Sequence, residues 1–134
     1  MKGNHVEAVR EWIAAFNRRD ADAILDLAHP EVEYRPYLAT VAGGPGAYRG
    51  HGGLRRYLRD LDEAWSTFEA QIHSLRSVGE HVLMEGRLRA TGRTSGAEVD
   101  AEMSWVHTFR DGKYARLRIF IDPREAREAA GLRD

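Results

Sequence analysis

Met103-Ser-Trp-Val-His-Thr-Phe-Arg-Asp-Gly-Lys-Tyr-Ala-Arg-Leu-Arg-Ile-Phe-Ile121 reads as two strands about a tight turn, and the length of that turn sets which side chains share a face. A two-residue Asp111-Gly112 loop would set Trp105 and His107 beside Arg116 and Arg118, scattering the apolar residues over both faces. A three-residue Arg110-Asp111-Gly112 loop, with Gly112 left-handed in a G1 bulge, groups Met103, Trp105, His107 and Phe109 with Ala115, Leu117, Ile119 and Ile121. This register predicts one apolar inner face. The outer face then carries Asp100, Glu102, Ser104, Val106 and Thr108 with Tyr114, Arg116, Arg118, Phe120 and Asp122, acids near arginines, and suits a dimer interface.

Upstream of this hairpin the two-residue period extends back to Thr67, in runs separated by turns at Gly79-Glu80 and Thr94-Ser95-Gly96, so an antiparallel meander is expected. Before Thr67 the period is helical. Val6, Val9, Ile13 and Phe16, with Trp12, mark a first helix. Asp20 caps a short second one carrying Ile24, Leu25 and Leu27, which His29-Pro30 is expected to end. Val32 to Leu38 reads as a strand and Ala39 to Gly50 as a glycine-rich loop, the candidate lid. Leu54, Tyr57, Leu58, Leu61 and Trp65 predict a third helix over about 52–66. Asp122-Pro123 with Glu125 has the form of a helix cap. Helices first and strands afterwards imply a single α+β domain over 1–134, with a curved, mostly antiparallel sheet wrapped around three helices and a short C-terminal helix.

The chain has 134 residues, with 20 Lys+Arg against 21 Asp+Glu and no cysteine. One core of this size needs no disulfide or metal to fold. The near-zero net charge argues against a nucleic-acid or anionic-membrane partner, and the missing cysteines exclude thiolate chemistry and Cys-ligated metals. The histidines show no metal-ligand spacing, the glycine clusters are not followed by the residues of a phosphate loop, and no Gly-x-Ser-x-Gly elbow is present. No cofactor or metal is expected. The N-terminus lacks the apolar run of a secretion signal, so a cytoplasmic location is expected.

The order of elements resembles the SnoaL-like branch of the nuclear transport factor 2-like superfamily. The likeness rests on Trp12-Ile-Ala-Ala-Phe-Asn-Arg-Arg-Asp20, Pro30-Glu-Val-Glu33, Tyr48-Arg-Gly-His-Gly-Gly-Leu54, and Arg110-Asp-Gly-Lys113 leading into Asp122-Pro-Arg-Glu-Ala126. It implies a cone-shaped α+β barrel around a mostly apolar pocket, commonly in a homodimer joined through the outer sheet face. The superfamily includes ketosteroid isomerases, polyketide cyclases and proteins that only bind or scaffold. The positions matching the isomerase's tyrosine, general base and protonated acid are here Trp12, Arg35 and about Trp105, so the isomerase mechanism has nothing to act with.

Catalytic candidates are therefore His107, a lone imidazole on the apolar face, with Glu33 and Arg35. The resemblance implies that the alternating set Glu33, Arg35 and Tyr37 points inward, where Glu33 and Arg35 could form a structural ion pair, or Glu33 or His107 could act as base with Arg35 as electrophilic stabiliser; a neutral His107 could equally be a hydrogen-bond donor. Trp12, Phe16, Tyr37, Tyr57, Trp65, Met103, Trp105 and Ile119 are the candidate pocket wall. The function expected is binding of a small, largely apolar metabolite, with a cofactor-independent isomerisation, cyclisation or dehydration as its chemistry; the alternative is a non-catalytic interaction domain.

Overall fold

The computed structural model describes residues 5–36 and 47–132. Helix α1 spans His5–Asn17 and α2 Ala21–Leu27, where the Asp20 carboxylate accepts the Ala23 N–H and caps α2 as its sequence implied. Strand β1, Ala28–Tyr34, follows without a break. The helix ends ahead of His29-Pro30 as expected, but the strand takes in both residues instead of starting at Val32 and ends at Tyr34 instead of Leu38, since proline is tolerated near the start of a strand. Strand β2 is the pair Tyr48–Arg49, and α3 spans Gly50–Ala64. Most of the glycine-rich segment named as a lid lies outside the described residues, as does Tyr37.

Four long strands complete the sheet: β3 Trp65–Val78, β4 His81–Gly92, β5 Glu98–Arg110 and β6 Lys113–Phe120. Their order is β2-β1-β6-β5-β4-β3, with β3 to β6 an antiparallel meander and β1 parallel to β6. Trp65, expected at the end of the third helix, instead opens β3. The inner face packs on α1, α2 and α3 to form the main core, from Val9, Trp12 and Ile24 to Met84, Phe109 and Leu117.

The decisive hairpin reaches the expected inner face by another route. Arg110 pairs with Lys113, so the loop is the two-residue Asp111-Gly112. Both residues have positive φ, 55° and 76°, as a type I′ turn requires. The register then shifts between Thr108, opposite Arg116, and Phe109, opposite Tyr114, leaving Ala115 as the extra residue of a bulge. The bulge restores His107 opposite Leu117 and Trp105 opposite Ile119. It also turns Tyr114 inward, where it is buried, correcting its assignment to the outer face.

Helix α4, Pro123–Ala129, begins at Asp122, whose carboxylate accepts the Arg124 N–H at 2.9 Å. It lies on the outer face, where Ala126 and Ala130 bury Leu83 and Val106. Part of the surface expected to join two copies is therefore covered by the chain's own C-terminal helix. Arg118 reaches beneath it to the Ala129 carbonyl. Asp122→Ala removes the cap and is expected to cost about 1 kcal/mol, read as a lowered Tm and as faster amide exchange at Leu83 and Val106.

Candidate functional site

On β5 the residues Trp105, His107 and Phe109 share the inner face by strand alternation, and Leu117 and Ile119 of β6 stand opposite. On β1 the inward residues are Val32 and Tyr34, both buried, with Pro36 following. Helix α1 contributes Ile13 and Phe16, one helical turn apart, and α3 contributes Tyr57. Ala70 of β3 and Leu88 of β4 close the other side. Together with the sheet residues Tyr34, Trp105, His107, Leu117 and Ile119, and with Pro36, these side chains line a cavity of about 30 Å³. A volume of that size admits one or two waters.

The lining residues with polar atoms in their side chains are His107, Tyr34 and Tyr57, with the indole of Trp105. His107 is 1 % exposed, and its Nδ1 lies 2.6 Å from the Tyr114 hydroxyl. Its Nε2 is buried with no hydrogen-bond partner among the described residues. Burial pushes the imidazole down to about 3, so the ring is neutral at physiological pH. Tyr34 and Tyr57 bring two phenol hydroxyls, on rings whose centroids lie 4.9 Å apart. Tyr34 also accepts the Trp12 indole N–H at 3.4 Å. Burial pushes Tyr34 up to about 12 and raises Tyr57 and Tyr114 as well, which keeps all three phenols protonated.

Behind this wall the Trp12 indole stacks on Tyr114 at 3.7 Å between centroids, and Tyr114 meets the His107 ring edge-on. The stack fixes the Tyr114 ring, and the ring fixes the direction from which its hydroxyl meets Nδ1. Trp12 is thus a support of the site, not part of the cavity wall.

The structure brings together some of the expected site residues and separates others. His107, Phe16, Tyr57, Trp105 and Ile119 meet at the cavity. Met103 is buried in the core away from the described lining, and Trp65 is buried at the start of β3, its indole N–H unpaired among the described residues. Glu33 and Arg35 lie on the other face of β1 from Tyr34. There Glu33 Oε2 accepts Arg35 Nε at 2.9 Å and Nη2 at 2.7 Å, with Arg49 3.5 Å away. The Arg35 guanidinium holds the Glu33 carboxyl below the usual range. The inward set expected from the isomerase comparison is therefore reversed in parity: burying Val32, Tyr34 and Pro36 leaves the charged residues between them in water. Alternation of Glu31, Glu33 and Arg35 with Val32 and Tyr34 carries that signal in the sequence itself. Tyr34 and Tyr114 are the polar residues of the site that sequence reading missed.

Among the described residues no group of three or more His, Asp or Glu side chains is placed to hold a metal ion, and no helix is long and apolar enough to cross a membrane. No curated protein matches the chain. Solved structures do. A protein of unknown function from Burkholderia pseudomallei K96243, described as NTF2-like, superposes with a TM-score of 0.78 at 23% identity, covering 95% of this chain and 97% of that one. TerC, co-crystallised with polyporic acid, gives 0.74 at 24% identity over 94% and 97%. A protein from Catenulispora acidiphila with a ketosteroid isomerase-like fold, in complex with trimethylamine, gives 0.73 at 16% identity over 95% and 94%. At these identities the likeness is one of fold. The sequence profile of the SnoaL-like domain matches residues 9–117, most of the length and every element from α1 into β6, and the chain belongs to that family.

Proposed function

We propose that this protein binds a small, largely apolar, oxygen-bearing metabolite in the cavity between the sheet and helices α1 and α3. The observation that carries this reading is the buried, unpartnered His107 Nε2 at the wall of that cavity. An unmet buried polar atom is costly in a structural core, and a ligand atom that satisfies it recovers that cost. The 30 Å³ space takes the oxygen-bearing end of the ligand, and the rest of its body requires wall side chains such as Phe16 and Ile119 to move aside.

Chemically, the cavity supplies hydrogen bonds to an oxygen and an apolar, low-dielectric surround. Polarising an oxygen in this way is the electrophilic half of an isomerisation, cyclisation or dehydration. No carboxylate stands among the described lining residues. Binding and polarisation are what the geometry supports.

A thermal-shift series with small ketones, enones, epoxides, aromatic acids and polyporic acid tests the reading. A ligand present at a hundred times its Kd is expected to stabilise the protein by about 2.7 kcal/mol. Ala70→Val, which projects two further methyl groups into the cavity, is expected to remain folded and to lose the shift. A flat response across the series, or an unchanged shift in Ala70→Val, would overturn it.

A further inference from the structure

His107 Nε2 is the buried atom of the cavity wall without a partner among the described residues, and whether it carries a proton selects the ligand. Among the described residues the Tyr114 hydroxyl has His107 Nδ1 as its hydrogen-bond partner. If Nδ1 carried the proton, the Tyr114 O–H and the Nε2 lone pair would both be buried without partners. If Tyr114 donates to Nδ1, only one donor is left unmet, the Nε2–H at the cavity. Tyr34 and Tyr57 add two protonated phenols to the same wall, with the Trp12 N–H donating to the Tyr34 oxygen.

We infer that Tyr114 is a positioning residue that holds His107 as its Nε2–H tautomer, and that the ligand presents a neutral carbonyl oxygen to the donors of this cavity. The inference rests on the cavity being the ligand site. A carboxylate is disfavoured because the described lining offers no cation to pair with it: Arg35 is turned outward on β1 and bonded to Glu33. An ammonium is disfavoured because it would face the Nε2–H hydrogen and the described lining offers no anion to pair with it. A hydrocarbon of the same shape leaves that donor unmet. Of the two roles open to a neutral imidazole in a dry pocket, base or donor, this assignment gives His107 the donor's.

The test has two arms. Long-range ¹H–¹⁵N spectra of the native protein are expected to show His107 with Nε2 protonated and Nδ1 bare, and Tyr114→Phe to show a mixture of tautomers. A native ring protonated on Nδ1 would overturn the inference, whether or not the variant folds. The second arm compares four probes: cyclopentanone, its isostere methylenecyclopentane, cyclopentanecarboxylate and trimethylammonium. Cyclopentanone is expected to bind about tenfold more tightly than methylenecyclopentane, the worth of one net hydrogen bond, and His107→Phe to remove that preference. Equal binding of ketone and alkene, or tighter binding of either ion, would overturn the ligand class while leaving the cavity a ligand site. Failure of all four probes to bind would overturn the cavity reading itself, and the ligand class with it.

Discussion

Between pH 7 and pH 5 the protein is expected to lose about 2 kcal/mol of stability through His107 alone. In the unfolded chain this imidazole titrates near 6.5, whereas in the folded protein burial pushes it down to about 3. Between those values the unfolded state binds a proton that the native state does not. Stability therefore rises with pH across this window, is complete above about 6.5, and falls progressively as the pH drops toward 3. Asp20 and Glu33 act in the same direction but at lower pH. The Ala23 N–H on Asp20 and the Arg35 guanidinium on Glu33 hold these carboxyls below their ordinary values, and both are mostly ionised at pH 5 in either state. The check is urea denaturation at pH 5, 6 and 7 of the native protein and of His107→Phe/Tyr114→Phe, which replaces both partners by apolar rings of similar shape. The double variant is expected to lack this 2 kcal/mol dependence. Equal pH slopes in the two proteins would show that His107 is not held neutral.

Gly86→Ala is expected to destabilise the protein by about 3 kcal/mol or more. Gly86 lies on β4 opposite Met103 of β5 and Ile72 of β3, where β3 shifts register between Ile72 and Ser74. A Cβ at this position would fall inside the van der Waals envelope of the Gln71 carbonyl oxygen, with the Gln71 carbonyl carbon only 3.1 Å away. Both are backbone atoms held by strand pairing, so relief requires β3 to move, which is the expensive form of overpacking. Gly52 provides the contrast. It lies in the first turn of α3, where an added Cβ would meet nothing within 4 Å, and Gly52→Ala is expected to be neutral or to stabilise by about 0.5 kcal/mol. Denaturant midpoints of the two variants decide the matter, and a mild Gly86→Ala would mean that the β3 bulge yields easily.

How far the sequence carries can be judged from the same residues. The helix over Val6–Phe16, the Asp20 and Asp122 caps and the meander from β3 to β6 each follow from local chemistry: an apolar stripe, a carboxylate at a helix start, a two-residue period between turns. The inner face of the last hairpin was legible because an apolar face demands one parity. Its route was not, because a three-residue loop and a two-residue loop followed by a bulge deliver the same inner residues on β5 and differ only at Tyr114 and Ala115. That difference removed Tyr114 from the candidate site. On β1 the parity error had another source: alignment to the isomerase placed Arg35 inward, against the alternation of Val32 and Tyr34 with charged neighbours. Trp65 lies where α3 passes directly into β3, a junction that helical periodicity continues through without a stop signal. Contacts such as the Trp12–Tyr114 stack join residues far apart in the chain, and only the fold brings them together.

The measurement that bears most directly on the central claim, that the cavity at His107 receives a neutral oxygen-bearing ligand, is an NMR titration of the protein with cyclopentanone, following the His107 ring resonances and the backbone amides. The expected result is a saturable shift of the His107 Nε2–H signal, together with Trp105, Leu117 and Ile119 on the same inner face, that is absent in Ala70→Val. A titration that perturbs only residues outside the cavity, with the His107 ring unmoved at saturation, would contradict it.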